Sequence, residues 1–191
     1  MNITKKNNYL HVTDIENFAE AVSECYKEYE NGYFAAVFEK GSAALDADTK
    51  KALADAPFTT AVHTDDLSAS AVEDLLCFDL RFTSEILKAD KETVKKLSEN
   101  ENFRILFSDK RVFELKKYAI SDSSDEIELG YFSVTEESID EYFERIYKEK
   151  TPFQIKALTE CLVALRKGKP ELGFDKESVN FYKLIKETTK E

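Results

Sequence analysis

Side chains able to move protons, hold metals or attack carbonyls are scarce in this chain, and the scarcity narrows the chemistry open to it. Its 191 residues include only His11 and His63, and Cys25, Cys77 and Cys161 lie far apart with no CxxC pair. A His-rich metal centre or a Ser/His/Asp triad therefore has few ways to form, and no metal ligands are assigned. The odd cysteine count and apolar neighbours point to reduced, buried thiols. The polar residues that do gather lie at the turn from Thr64 to Ser70, inside the stretch Pro57 to Glu85. His63 stands at the end of the strand entering that turn, either as an acid or base near neutrality or as a structural histidine. Asp65 and Asp66 either cap the next helix or coordinate a cation.

The elements that must position these groups follow from periodicity. Phe58 to Val62 is β-prone, and Phe78, Leu80 and Phe82 alternate with Asp79, Arg81 and Thr83 as in a half-buried strand. Between them Ala71, Val72, Leu75 and Leu76 recur at helical spacing. Strand, helix and strand make a βαβ crossover, so a layered α/β core is expected, with chemistry at the turn where helix amides point outward. Asp79 and Arg81 are expected to make structural pairs on the strand's polar face.

Upstream, Tyr9 to Val12 is a short strand, and Asp14 is expected to cap a helix carrying Ile15, Phe18, Val22, Cys25 or Tyr26, and Tyr29 on one face. Asn31-Gly32 ends it, Tyr33 to Phe38 is a buried strand, and Asp46 or Asp48 starts a short helix that Ala56-Pro57 stops. Downstream, Ser84 to Asn102 reads as a charged helix pair with Ile86, Leu87, Val94 and Leu97 as its stripe and Asp90 as an internal restart. Phe103 to Phe107 is strand or helix, Arg111 to Tyr118 a weak helix, Ser121 to Glu126 a solvated acidic loop, and Ile127 to Val134 a last short strand. Three helices close the chain. The first carries Ile139, Tyr142, Phe143, Ile146 and Tyr147; the second opens at Thr151-Pro152 and is expected to bury Leu158, Cys161, Leu162 and Leu165; the third, Asp175 to Thr188, carries Val179, Phe181, Tyr182, Leu184 and Ile185. Such helices pack either on the core or on another subunit.

Lys and Arg number 27 against 38 Asp and Glu, a formal charge of -11 that repels phosphate backbones, so nucleic acid is excluded as a partner. Apolar runs fall far short of the roughly 20 residues of a membrane span, and MNITKKNNYLHVTD has no apolar signal core; a cytoplasmic protein with no membrane partner is expected.

Taken in order, PFTTAV, LSAS, VED and CFDLRFTSE resemble the central segment of the crotonase superfamily, the enoyl-CoA hydratases and isomerases. VFEKGSAALDAD resembles that family's strand and oxyanion turn, and ELGYFSVTEESIDEYFERI and KTPFQIKALTECLVAL resemble its later strand and helices. The resemblance implies a crotonase-like ββα superhelix core over 1–134 and a helical trimerisation region over 135–191. It also implies a coenzyme A thioester as substrate, no separate cofactor, and a homo-oligomer, trimer or hexamer. Two backbone amides would polarise the thioester carbonyl while a carboxylate moves protons. By the resemblance those amides belong to Ala44 and Ala69, and the carboxylate to Glu73, with Val72 at that place if the alignment shifts by one. His63, Asp66, Ser68 and Ser70 would line the substrate. Glu73 also reads as a first-turn acid that suits the helix dipole. Ser68, Ala69 and Ser70 replace the family's glycines, and no second glutamate follows the CDLR-like strand. A second reading is therefore a degenerate, non-catalytic relative that keeps the fold as a binding or scaffolding module.

Overall fold

A computed structural model describes residues 1–41, 44–64, 74–75, 77–83, 88–99, 109–129 and 138–167, with the side chains of 109–112 excepted. Strands β1 (Asn2–Lys6), β2 (Tyr9–Thr13), β3 (Ala35–Glu39), β4 (Thr59–Thr64) and β5 (Leu80–Thr83) form one sheet in that order. β1 pairs antiparallel with β2 through a tight turn in which Asn8 takes φ 64, a left-handed conformation that asparagine tolerates. Every other neighbour is parallel. The α/β class expected from periodicity is therefore what the chain adopts, with a mostly parallel sheet.

Helices α1 (Phe18–Tyr29) and α2 (Ala47–Asp55) are the crossovers β2 to β3 and β3 to β4. Successive crossovers of one hand between adjacent strands fall on one face. Accordingly Val22, Cys25 and Leu53 join Leu10, Val12, Ala36, Phe38 and Val62 in one core. The opposite face, with Tyr9, Ala35, Val37, Ala61 and Phe82, is covered by Phe143 and Tyr147 of α5 (Ile139–Tyr147) and Ile155 of α6 (Pro152–Arg166). With both faces covered, Ala35 to Phe38 are all buried, which explains a continuous apolar run in place of alternation. Between these layers' segments lie α3 (Lys91–Glu99) and α4 (Asp109–Ala119), packed together, and a two-strand ribbon of β6 (Lys88–Ala89) with β7 (Ile127–Glu128).

Several local expectations hold. Asp46 caps α2 by accepting from Thr49 N–H at 2.7 Å, Asp90 accepts from Thr93 N–H at 2.8 Å, and Gly32 takes φ 94 after α1. Thr151 and Gln154 form a capping box with Pro152 in the first turn of α6, as Ser138 and Glu141 do for α5.

Others are corrected. Asp14 sits at φ 50 and accepts from the Asn2 amide at 2.7 Å, so the cap of α1 passes to Asn17, whose extended backbone lets its side chain accept from Glu20 N–H. Within the expected helix pair, Lys88 and Ala89 are extended and pair with β7, so α3 starts only after Asp90. On α4 Leu115 is buried while Phe113 is 68% exposed. The α6 stripe is reversed: Ile155, Thr159, Val163 and Ala164 face the sheet, whereas Leu158 and Leu165 point outward. Phe103 to Phe107 and Asp175 to Thr188 lie outside the described residues.

Candidate functional site

Ligands in open α/β sheets gather outside the carboxyl ends of parallel strands, and two charged clusters stand there on opposite faces. They begin with Glu39, the last residue of β3, and Lys40, the residue after it, because consecutive side chains of extended chain alternate faces. Glu39 projects with Val37 toward the α5 side, and Lys40 projects toward the α2 side.

The first cluster follows from register. Parallel pairing sets His11 beside Val37 and Glu39 beside His63, so all three polar residues share one face. His11 Nε2 lies 2.7 Å from one Glu39 oxygen and His63 Nδ1 lies 2.6 Å from the other. An ionised carboxylate only accepts, so both ring nitrogens carry their protons toward Glu39 and both tautomers are set. Burial pushes the Glu39 carboxyl up, yet the two imidazole hydrogen bonds and charges outweigh it and hold it down to about 2. The side chains stay 20% (His11), 31% (His63) and 32% (Glu39) exposed, which leaves the array in contact with solvent. Beside it, Tyr9 and Lys6 both donate to Asp140 in the first turn of α5. Burial first, then Asp140, raises the Tyr9 hydroxyl far above its usual range. These contacts seat α5 on the sheet.

The second cluster buries its carboxylate and one of its two lysines, while Lys50 stays 35% exposed. Asp74, helical and 2% exposed, accepts from Lys50 Nζ at 2.8 Å and from Leu45 N–H at 2.8 Å, with Lys40 Nζ 3.6 Å away. The Lys40 side chain is 1% exposed and also donates to Gly41 C=O at 3.2 Å. Lys40 N–H donates to His63 C=O, and Thr64 Oγ1 donates to Lys40 C=O at 2.7 Å, which locks the strand end carrying the ammonium.

A third buried pair lies at the other end of β4. Arg166, the last residue of α6, donates to Asp79 Oδ2 at 2.7 Å, to Thr60 Oγ1 at 3.0 Å and to the carbonyls of Ala56 and Phe58. Asp79 also accepts from Thr60 N–H at 2.8 Å. Burial raises the Asp79 carboxyl against the pull of Arg166. The expectation that Asp79 makes a structural pair holds, with Arg166 in direct contact; Arg81, whose charge Asp79 also feels, donates to Phe78 C=O at 2.7 Å.

Comparison of the chain with protein-family models, with curated proteins and with solved structures returned no match. Its site must therefore be read from its own residues. Of the residues assigned from the sequence, His63 belongs to the imidazole array. Ala44 is exposed in the loop before α2, and its neighbour Leu45 supplies the amide that holds Asp74. Glu73, Ala69, Asp66, Ser68 and Ser70 lie outside the described residues. Sequence reasoning missed His11, Glu39, Lys40, Asp74 and Arg166 as members of clusters. The available signal was register: once β2, β3 and β4 are aligned in parallel, His11, Glu39 and His63 must fall on one face.

Among the described residues no group of three or more His, Cys, Asp or Glu side chains could hold a metal ion, and no helix is long and apolar enough to cross a membrane. The cysteines are thiols rather than disulfides, and burial pushes the Cys25 thiol up to about 12.

Proposed function

We propose that this chain is a crotonase-like protein that serves as a binding or scaffolding module, its thioester chemistry lost at the turn after β3. One observation carries the reading: an internal carboxylate, Asp74, sits against Leu45 N–H, the amide following the one the resemblance assigns to an oxyanion hole. An oxyanion hole works only if its donors are free to meet charge that develops on the substrate. Here the next amide along, Leu45 N–H, already holds the Asp74 carboxylate, which Lys50 and Lys40 face. A thioester enolate held by the Ala44 amide would have to form beside that carboxylate, like charge against like. The crotonase-like reading rests on the sequence segments that resemble that family; the sheet adds only a mostly parallel α/β framework with one helix between β2 and β3 and one between β3 and β4.

The test is thermal unfolding with acetyl-CoA and crotonyl-CoA, paired with a hydration assay on crotonyl-CoA. The expected result is no rise in melting temperature and no turnover. Turnover that disappears in Glu73→Gln would overturn this reading in favour of an acyl-thioester enzyme using the Ala44 and Ala69 amides.

A further inference from the structure

Two ammonium groups around one carboxylate are more positive charge than a structural ion pair needs, and at Asp74 they stand with a backbone donor. Lys50 Nζ lies 2.8 Å from Asp74 Oδ1, Leu45 N–H donates to Oδ2 at 2.8 Å, and Lys40 Nζ stands 3.6 Å from Oδ2. Both carboxylate oxygens are thus engaged, by groups from the residue after β3, the loop before α2 and α2 itself. Each of those groups is positioned by contacts that leave Asp74 out. Lys40 is pinned by its N–H on His63 C=O and by Thr64 Oγ1 on its own carbonyl. Leu45 is buried in the core, and directly after it Asp46 caps α2 through Thr49 N–H. Lys50 N–H donates to Asp46 C=O at 3.0 Å within that helix, which Leu53 anchors to the sheet. The donors are therefore preorganised around the place an anion occupies.

We propose that Lys40, the Leu45 amide and Lys50 form an anion cradle for a small carboxylate, which this chain fills with its own Asp74. A planar anion with two oxygens matches the cradle, because each oxygen meets a donor of its own. Charge demands an occupant as well. The Lys40 side chain is 1% exposed and cannot recover its hydration, so truncating Asp74 leaves a buried cation that draws a counter-ion from solution. Lys50, 35% exposed, is the side of the cradle that solvent reaches. Formate has the shape of the group that Asp74→Ala removes. The cradle holds whether or not the chain is crotonase-like, so acyl-CoA binding decides that reading and formate decides this one.

Thermal unfolding of the full chain in matched salts is the test. The melting temperature of Asp74→Ala should rise by about 2–4 °C when roughly 0.1 M sodium formate replaces sodium chloride at equal ionic strength. The wild type, whose cradle is already filled, should not respond, and neither should Asp74→Asn, whose amide occupies the volume that formate needs. Should Asp74→Ala fail to fold in chloride, refolding it into formate should restore the wild-type far-ultraviolet circular dichroism. Equal behaviour of Asp74→Ala in formate and chloride, folded or unfolded, would overturn the proposal. So would an equal gain in the wild type or in Asp74→Asn, which would mark formate as acting elsewhere on the protein.

Discussion

Glu39 ends a strand and Lys40 follows it, and each belongs to a carboxylate with two basic partners, yet their surroundings make them different devices. On the α5 face Glu39 lies between two imidazoles and all three side chains keep 20–32% exposure. On the α2 face Asp74 lies between two lysines; Asp74 and Lys40 are 1–2% exposed, and only Lys50, at 35%, reaches solvent. In water-like surroundings an ion pair contributes little because solvent competes for both charges. In a dry interior each charge depends on its partner, since neither can recover its hydration. The Asp74 cluster therefore fixes structure, while the Glu39 array can exchange protons with solvent.

The largest consequence of that difference should come from removing charge at the dry site. Asp74→Asn leaves Lys40 buried without its counter-charge, and a loss of about 3–5 kcal/mol in urea unfolding is expected. Replacing both partners, as in Lys40→Met with Asp74→Leu, should recover most of it, because no buried charge is then left alone. A loss below about 1 kcal/mol for Asp74→Asn would place the cluster in the same class as a surface pair and erase the contrast between the faces.

A smaller effect is expected where charge is kept and only geometry changes. Arg166→Lys retains the positive charge beside Asp79 but cannot reach Thr60 and the carbonyls of Ala56 and Phe58 together, as the guanidinium does. About 1–3 kcal/mol should be lost through the acceptors left unpaired, read by the same denaturant titration. Cleaner separation of α6 from the sheet than of α2 in hydrogen exchange would show that the clasp holds that helix.

The sequence made local features legible wherever one residue type decides a backbone state. Thr151 with Pro152, and Gly32, stood where the structure uses them, and Asp46 was one of two residues read as starting α2. Strands β3 and β4 were legible because buried parallel strands are short apolar or β-branched runs. β1, which reads NITKK, was not, since an edge strand with polar residues on both sides carries no alternation. The α6 stripe was misread because both sides are apolar, and periodicity cannot say which side meets the core. The clusters were hidden for a different reason. Asp74 and Arg166 find their partners 29 and 87 residues away, at Leu45 and Asp79, and no spacing rule spans such distances. Only the register of adjacent strands could have joined His11, Glu39 and His63.

The smallest effect belongs to the solvated array, and its pattern with pH and salt is more telling than its size. Glu39→Gln should cost no more than about 1 kcal/mol near neutrality, since the carboxylate is about a third exposed. Its folded-state carboxyl is held down to about 2, below the ordinary 4.5, so its contribution is complete above about pH 4.5 and is lost as pH falls through 2. The wild type and Glu39→Gln should therefore differ at pH 5 and converge toward pH 2 in urea unfolding. Salt should act in the same selective way. At 1 M the screening length is about 3 Å, short enough to weaken a pair that water already reaches but not one sealed from it. The Glu39→Gln difference should shrink in 1 M NaCl while the Asp74→Asn difference stays. If salt instead reduces both alike, Asp74 is wetter than its 2% exposure implies, and the two faces of β3 differ in composition but not in kind.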